Sequence, residues 1–334
     1  MKKTISVAVV VAIILMTGMV TGCGSAEVKK LPDEVTVQLK WIHQAQFAGL
    51  YVAEKKGFYA EENIDVILIP GGPEITDGII PDLVKGNSEF AITSGDRLLK
   101  ARSEGKPVIA IAAIFQRNPY VYLSLKESGI ERPRALEGKK LMVAPDGEIL
   151  HAAMLQRLAI DPNTIEVIIP YERDVTPLIT GQIDAHMVYR TGTGLAFDET
   201  GYELNVIWVE DYGIRGYGDT IVATEQLIQQ DPELVERFLR ATMKGWRYAI
   251  ENPDEAVDFT LEYAPTLGRE RQELMMEMQT PIIHTGDVAI GWMEDSTWQG
   301  MYQMLLDGGV LAQPIDVAEA YTMQFLNKIY GKAE

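Results

Sequence analysis

Trp41, Gln44 and Gln46 stand within six residues of one another, directly ahead of Phe47-Ala48-Gly49, where the pattern opens a helix. One loop therefore offers an aromatic face, two neutral amides that donate and accept, and the free N–H groups of a helix start. These parts suit recognition of a flat heterocycle, because amides pair with ring nitrogens and carbonyls at no charge cost. The plainer reading of Trp41 is an aromatic capping a sheet, and of the two glutamines, solvated loop amides. Ser94-Gly95 repeats the logic after another expected strand, where a hydroxyl and backbone amides could hold a carbonyl or phosphate oxygen.

Gln116 and Tyr120, in Phe115-Gln116-Arg117-Asn118-Pro119-Tyr120, follow a third strand and again supply amide and aromatic groups. Arg117 is expected to pair with a surface acid. Tyr171-Glu172, Tyr189 and Asp211-Tyr212-Gly213 each come just after a strand. There Glu172 or Glu210 would take an exocyclic amine, and the tyrosines would cover the ring face opposite Trp41. Each of these also reads as an ordinary surface or core residue.

Bond-making chemistry has no comparable signature. His43, His151, His186 and His284 are scattered, with no His-Glu-x-x-His and no metal spacing, although His43 lies inside the Trp41–Gln46 loop. No nucleophile elbow, phosphate loop or dinucleotide fingerprint stands in a strand–turn–helix context. No catalytic residue, metal or cofactor is predicted. Cys23 is the single cysteine, so disulfides and cysteine-based metal sites are excluded.

Cys23 also closes a leader. Lys2-Lys3, an apolar run from Ile5 to Val20 and the small-residue sequence Val20-Thr21-Gly22-Cys23 resemble a bacterial lipoprotein signal. Residues 1–22 would be removed, Cys23 acylated, and 23–33 left as a tether. The longest later apolar stretch, Val108 to Phe115, is strand-sized, so contact with the membrane is expected through the lipid anchor only. Against 30 basic residues there are 48 acidic ones, a net charge of −18, which loss of the two leader lysines deepens. Such a surface repels phosphate backbones, and nucleic acid is not an expected partner.

The elements that must position these residues alternate regularly. Val35–Trp41, Asp65–Ile69, Glu89–Thr93 and Val108–Phe115 read as strands, with helices expected over Phe47–Asn63, Ile75–Lys85 and Asp96–Glu104. The pattern restarts with strands at Lys140–Val143, Glu166–Ile169, Ala185–Tyr189 and Leu204–Trp208, separated by helices at Glu148–Ala159 and Thr176–Thr180. Long helices follow at Asp231–Glu251, Pro253–Ala264, Arg269–Gln279, Glu294–Asp307 and Ile315–Lys328. Two rounds of alternation and a helical tail predict an α/β protein of two lobes with the ligand cleft at the carboxyl ends of their strands. Crossings near Ser124-Leu125 and near Tyr217–Thr224 would assign 34–123 plus 217–334 to the first lobe and 124–216 to the second.

Val37 to Ala53, with Lys56-Gly57-Phe58-Tyr59, Thr93-Ser94-Gly95-Asp96, and Gly105-Lys106-Pro107-Val108 leading to Gln116, closely resembles the substrate-binding lipoproteins of ABC importers. The branch is the one that handles thiamine-pyrimidine precursors and riboflavin. The resemblance implies a type II periplasmic-binding-protein fold with its ligand cleft between lobes, and in that family the strand ending at Tyr189 runs into the cleft. It also implies a small planar heterocyclic ligand, an ABC permease and its ATPase as partners, and a place on the extracytoplasmic face of the cell membrane. Riboflavin is the first expectation, since Tyr120, Tyr171, Tyr189, Tyr212 and Tyr217 could cover a tricyclic ring. A formylaminopyrimidine or hydroxymethylpyrimidine is the alternative, and a ligand-sensing module a further one. Related eukaryotic proteins of this fold make the thiamine pyrimidine with a histidine and a cysteine cluster, and here no cysteine follows Cys23.

Overall fold

The computed structural model describes residues 30–72, 74–75, 77–169 and 174–332. The expected leader and Cys23, most of the tether, and the proposed ligand contacts Tyr171 and Glu172 lie outside the described residues. Ten strands among the described residues form two five-stranded sheets. The first holds β1 (Asp33–Gln38), β2 (Ile64–Ile69), β3 (Phe90–Thr93), β4 (Val108–Ala113) and β10 (Thr220–Thr224), in the order β2-β1-β3-β10-β4. The second holds β5 (Tyr120–Leu125), β6 (Lys140–Val143), β7 (Glu166–Ile168), β8 (Ala185–Tyr189) and β9 (Leu204–Trp208), in the order β7-β6-β8-β5-β9.

Strand direction explains where the cleft lies. β1 runs parallel to β2 and β3, and β6 parallel to β7 and β8. The antiparallel member is β10 in the first sheet and β5 in the second, each being the strand that has just arrived from the other lobe. A chain leaving the carboxyl end of β4 enters the second sheet from the cleft side, so it must run against its new neighbours. The return from β9 to β10 obeys the same constraint, and the carboxyl ends of the parallel strands in both lobes therefore face one seam.

These pairings correct the expected boundary. The outgoing crossing is residues 114–119, not Ser124-Leu125, because β5 is already bonded to β8 and β9 from Tyr120 onward. Tyr120-Val121-Tyr122-Leu123 is apolar like the strand before it, so hydropathy does not mark the change of sheet. The returning crossing is 209–219, and Thr220–Thr224, expected within it, is the strand β10.

Helices cover both sheets: α1 (Ala48–Lys55), α2 (Phe58–Glu61), α3 (Ile79–Val84) and α4 (Gly95–Ser103) in the first lobe, then α5 (Glu148–Arg157), α6 (Thr176–Ile179) and α7 (Thr193–Asp198) in the second. The tail is α8 (Glu225–Gln230), α9 (Pro232–Glu251), α10 (Pro253–Tyr263), α11 (Arg269–Ile283), α12 (Asp295–Asp307) and α13 (Gln324–Tyr330). The single helix expected over Phe47–Asn63 is broken at Gly57, whose φ of 75° ends α1 in a left-handed cap. The helix expected over Ile315–Lys328 is a short turn at Val317–Glu319 followed by α13.

Helix α9 holds α1, and with it the Trp41–Gln46 loop. Asp231 caps α9 by accepting from the Leu234 amide at 2.9 Å, with Pro232 in the first turn. Its buried face carries Phe238, which stacks on Phe90 with ring centroids 4.0 Å apart, and Trp246, which lies against Gly49. A Cβ at Gly49 would meet the Trp246 indole at 2.2 Å, and one at Gly245 would meet the Gly49 carbonyl at 2.2 Å. The two backbones approach this closely only because both positions lack a side chain.

In the second lobe, Tyr122 on β5 and His151 on α5 share a hydrogen bond of 2.5 Å. Burial pushes the imidazole down from 6.5 to about 4 and raises the phenol.

Two outcomes follow. Gly49→Ala should destabilise the protein by about 1–3 kcal/mol through overpacking, and calorimetry should show a lower melting temperature; an unchanged one would contradict the close approach. His151 enters the fold neutral, so its contribution is constant above pH 6.5 and is lost as pH falls from 6.5 towards about 4, where the unfolded chain binds the proton first. The loss should total roughly 3 kcal/mol, read as the pH-dependent difference in unfolding free energy between wild type and His151→Gln. Parallel curves for the two proteins would contradict a neutral buried imidazole.

Candidate functional site

The seam between the lobes closes on a cavity of about 20 Å³ lined by Lys40, Trp41, Gln44, Gln46, Tyr189, Gly192 and Thr193. The first four come from the loop between β1 and α1, the last three from the end of β8 and the start of α7. Four of the expected ligand contacts, Trp41, Gln44, Gln46 and Tyr189, are thus brought together from both lobes. Roughly 20 Å³ holds about one water molecule, so entry of a ring requires the lobes to part.

Beneath this cavity lies a buried polar network. Asp219, 2% exposed, accepts at Oδ1 from the Tyr189 hydroxyl at 2.6 Å and pairs there with the Lys40 ammonium at 2.8 Å. Its Oδ2 accepts from Gln46 Nε2 at 2.8 Å, and Gln46 Oε1 accepts from Gln44 Nε2 at 2.7 Å. Lys40 also donates to the Gly218 carbonyl at 3.2 Å and sits 4.5 Å above the centre of the Tyr189 ring. Tyr189 in turn rests where Gly218 leaves room, since a Cβ there would meet its hydroxyl at 3.1 Å and Pro119 at 2.8 Å. Neither Lys40 nor Asp219 stands out in the sequence. A cue was available only in the Gly216-Tyr217-Gly218-Asp219 turn before β10, and it names no partner.

The loop itself is clamped from below. The Ala45 amide donates to Gln272 Oε1 at 2.8 Å and the Ala45 carbonyl accepts from Gln279 Nε2 at 2.7 Å. Both glutamines project from α11 and are buried, so the two backbone groups between Gln44 and Gln46 are satisfied without water.

The remaining expected contacts are placed differently. Ser94 stands at the N-cap position of α4, where its side chain makes no capping bond, two residues ahead of buried Asp96. Burial pushes the Asp96 carboxyl up, while Ser94, Arg97 and Lys40 pull it down. Gly95 does not offer its amide to a ligand: it donates to the Tyr217 carbonyl at 3.0 Å, and Met301 and Trp298 pack over its Cα. The Gln116 amide is spent on the Ala113 and Trp292 carbonyls at 2.8 and 3.0 Å. Tyr120 stands edge-on behind Tyr189, 5.2 Å between ring centroids, and supports it. Tyr212 lines no part of the seam cavity, and its carbonyl accepts from Arg157 at 2.9 Å. Arg117 pairs with an acid, Glu210, at 2.7 Å, but that carboxylate is largely buried rather than on the surface.

A second, wider cavity of about 900 Å³ opens beside the two crossings, lined by Gln116, Arg117, Glu210, Arg215, Asp287 and Glu294 among others. It is strongly polar and lacks an aromatic wall. His43, set in the same loop between β1 and α1, bonds the Tyr51 hydroxyl at 3.1 Å and packs against Tyr263, and burial lowers its pKa. Among the described residues no cluster of His, Cys, Asp or Glu could hold a metal, and no helix is long and apolar enough to cross a membrane.

Comparison with known proteins places this arrangement. The riboflavin-binding protein RibY of Chloroflexus aurantiacus is 27% identical over 306 residues, covering 88% of this chain and 86% of that protein. The formylaminopyrimidine-binding protein of Halalkalibacterium halodurans is 24% identical, covering 96% and 99%. A 4-amino-5-hydroxymethyl-2-methylpyrimidine phosphate synthase of Legionella pneumophila is 25% identical, covering 89% and 93%. In structure, the periplasmic aliphatic sulphonate binding protein SsuA of Escherichia coli superposes with a TM-score of 0.67 at 12% identity, covering 86% of this chain and 92% of that one. The two-lobed α/β architecture is thus that of the periplasmic binding proteins. Residues 44–256, from the first cavity glutamine to the helix behind it, match the family described as NMT1/THI5 like, and the chain belongs to that family.

Proposed function

We propose that this protein is the extracytoplasmic solute-binding component of an ABC importer, that it captures riboflavin, and that it is tethered to the membrane by a lipid on Cys23. The observation that carries the reading is the seam cavity, where Trp41 and two amides of one lobe meet Tyr189 of the other. An aromatic on each side and neutral hydrogen-bonding groups along one edge suit a planar ring better than a charged or extended solute. Likeness to a riboflavin-binding protein over most of the chain supports the choice of ligand. A formylaminopyrimidine-binding relative of nearly full coverage supports a thiamine pyrimidine as the second reading.

Binding works by closure. With the lobes apart, a ring can lie against Trp41. As the crossings at 114–119 and 209–219 bend, Tyr189, Gly192 and Thr193 arrive from the other side. A ligand that touches both lobes stabilises the closed form over the open one, and that differential is what a permease can read. An enzymatic reading, suggested by the synthases of the family, finds less support. His43 is packed between tyrosines away from the seam cavity, and the chain carries no cysteine after Cys23.

Titration of the purified protein with riboflavin should quench flavin and tryptophan fluorescence together. No response to riboflavin, with heat released on adding an aminopyrimidine, would select the second ligand. Trp41→Ala should weaken binding by about 1–3 kcal/mol, the worth of one aromatic stack. Undiminished affinity in a folded variant would remove Trp41 from the site.

A further inference from the structure

A carboxylate accepts hydrogen bonds and donates none, and this fixes the direction of a whole row of side chains. Three donors converge on Asp219: the Lys40 ammonium, the Tyr189 hydroxyl and Gln46 Nε2. Gln46 must therefore turn its NH₂ towards Asp219 and its carbonyl oxygen away. That oxygen takes the NH₂ of Gln44 at 2.7 Å, so Gln44 is turned the same way. Reversing either amide would set oxygen against oxygen in a buried site. The loop cannot twist to compensate, because Gln272 and Gln279 hold both backbone groups of Ala45 between the two glutamines. Gln44 Oε1 is then left with no hydrogen-bond partner among the described residues, on a side chain that lines the cavity.

We propose that Asp219 is a positioning residue for ligand selection: acting through Gln46, it obliges Gln44 to present an acceptor, with its second N–H alongside, to whatever enters the seam. The inference rests on the solute-binding reading of that cavity. The complementary edge donates an N–H next to an acceptor. The imide edge of an isoalloxazine has that form, and so does the amino edge of a 4-aminopyrimidine. A ring whose donor nitrogen is methylated sets carbon against the fixed carbonyl and leaves a buried acceptor unpaired.

The test compares riboflavin with its N3-methyl derivative by calorimetry in wild type, Asp219→Asn and Gln46→Met. Wild type should prefer the unmethylated ring by about tenfold or more, the usual scale for a site built around a hydrogen bond. Asparagine can donate or accept, so Asp219→Asn frees the row to reverse. Gln46→Met cuts it while leaving the Lys40–Asp219–Tyr189 contacts, and it decides the matter if Asp219→Asn does not fold. Both variants should reduce the preference to less than about threefold, a collapse that a merely structural residue would not produce. If wild type ignores riboflavin, a 4-aminopyrimidine and its N,N-dimethyl form replace the pair, with the same expected collapse. An equal preference in wild type and Gln46→Met overturns the inference and leaves the binding function standing. Wild type that binds none of the four compounds overturns both.

Discussion

A carboxylate taken out of water has to be met by donors, and Asp219 is met by three that reach it from three places. Its own carbonyl accepts from the Ile114 and Phe115 amides, at 2.7 and 3.2 Å, so the residue also joins the two crossings between lobes. Lys40 and Gln46 belong to the first lobe and Tyr189 to the second. Removing one partner of such a buried pair while leaving the other typically costs about 3–5 kcal/mol, which makes the set mutually fixing. The floor of the seam thus ties both lobes and both crossings to one carboxylate. The same residue that closes the electrostatics of the floor also orients the amides above it.

The scaffold delivers this point by simple means. Four parallel strand ends per lobe face the seam because each strand arriving from the other lobe enters its new sheet reversed. Helix α1 can bring its N-terminus to the seam because Gly49 and Gly245 let it lie against α9. Helix α11 contributes two buried glutamines that serve the backbone of the loop between β1 and α1 in place of water. Fold and site are linked through contacts about two hundred residues apart in sequence.

That separation explains what the sequence could and could not disclose. Alternation of period two and 3.6 was enough for two lobes and a helical tail, and Trp41, Gln44 and Gln46 declared themselves as a loop between strand and helix. Tyr189 was legible as the end of a strand. Lys40 read as one more strand residue and Asp219 lay unmarked in the expected crossing, since their meaning comes only from each other. Gly95 and Gln116 looked available for a ligand, but tertiary packing and backbone carbonyls had already claimed their polar groups. The change of sheet at Tyr120 left no hydropathic trace because both flanking strands are buried on both faces. Members of one family that bind and members that synthesise share this fold, so the function had to be argued from the site.

The most direct measurement is a crystal structure of the protein with riboflavin bound. The account predicts the ring system between Trp41 and Tyr189, its imide edge on Gln44, and the Asp219 contacts to Lys40, Tyr189 and Gln46 retained. A ring lodged instead in the polar cavity beside Arg117 and Glu210, or one held by a single lobe, would contradict it.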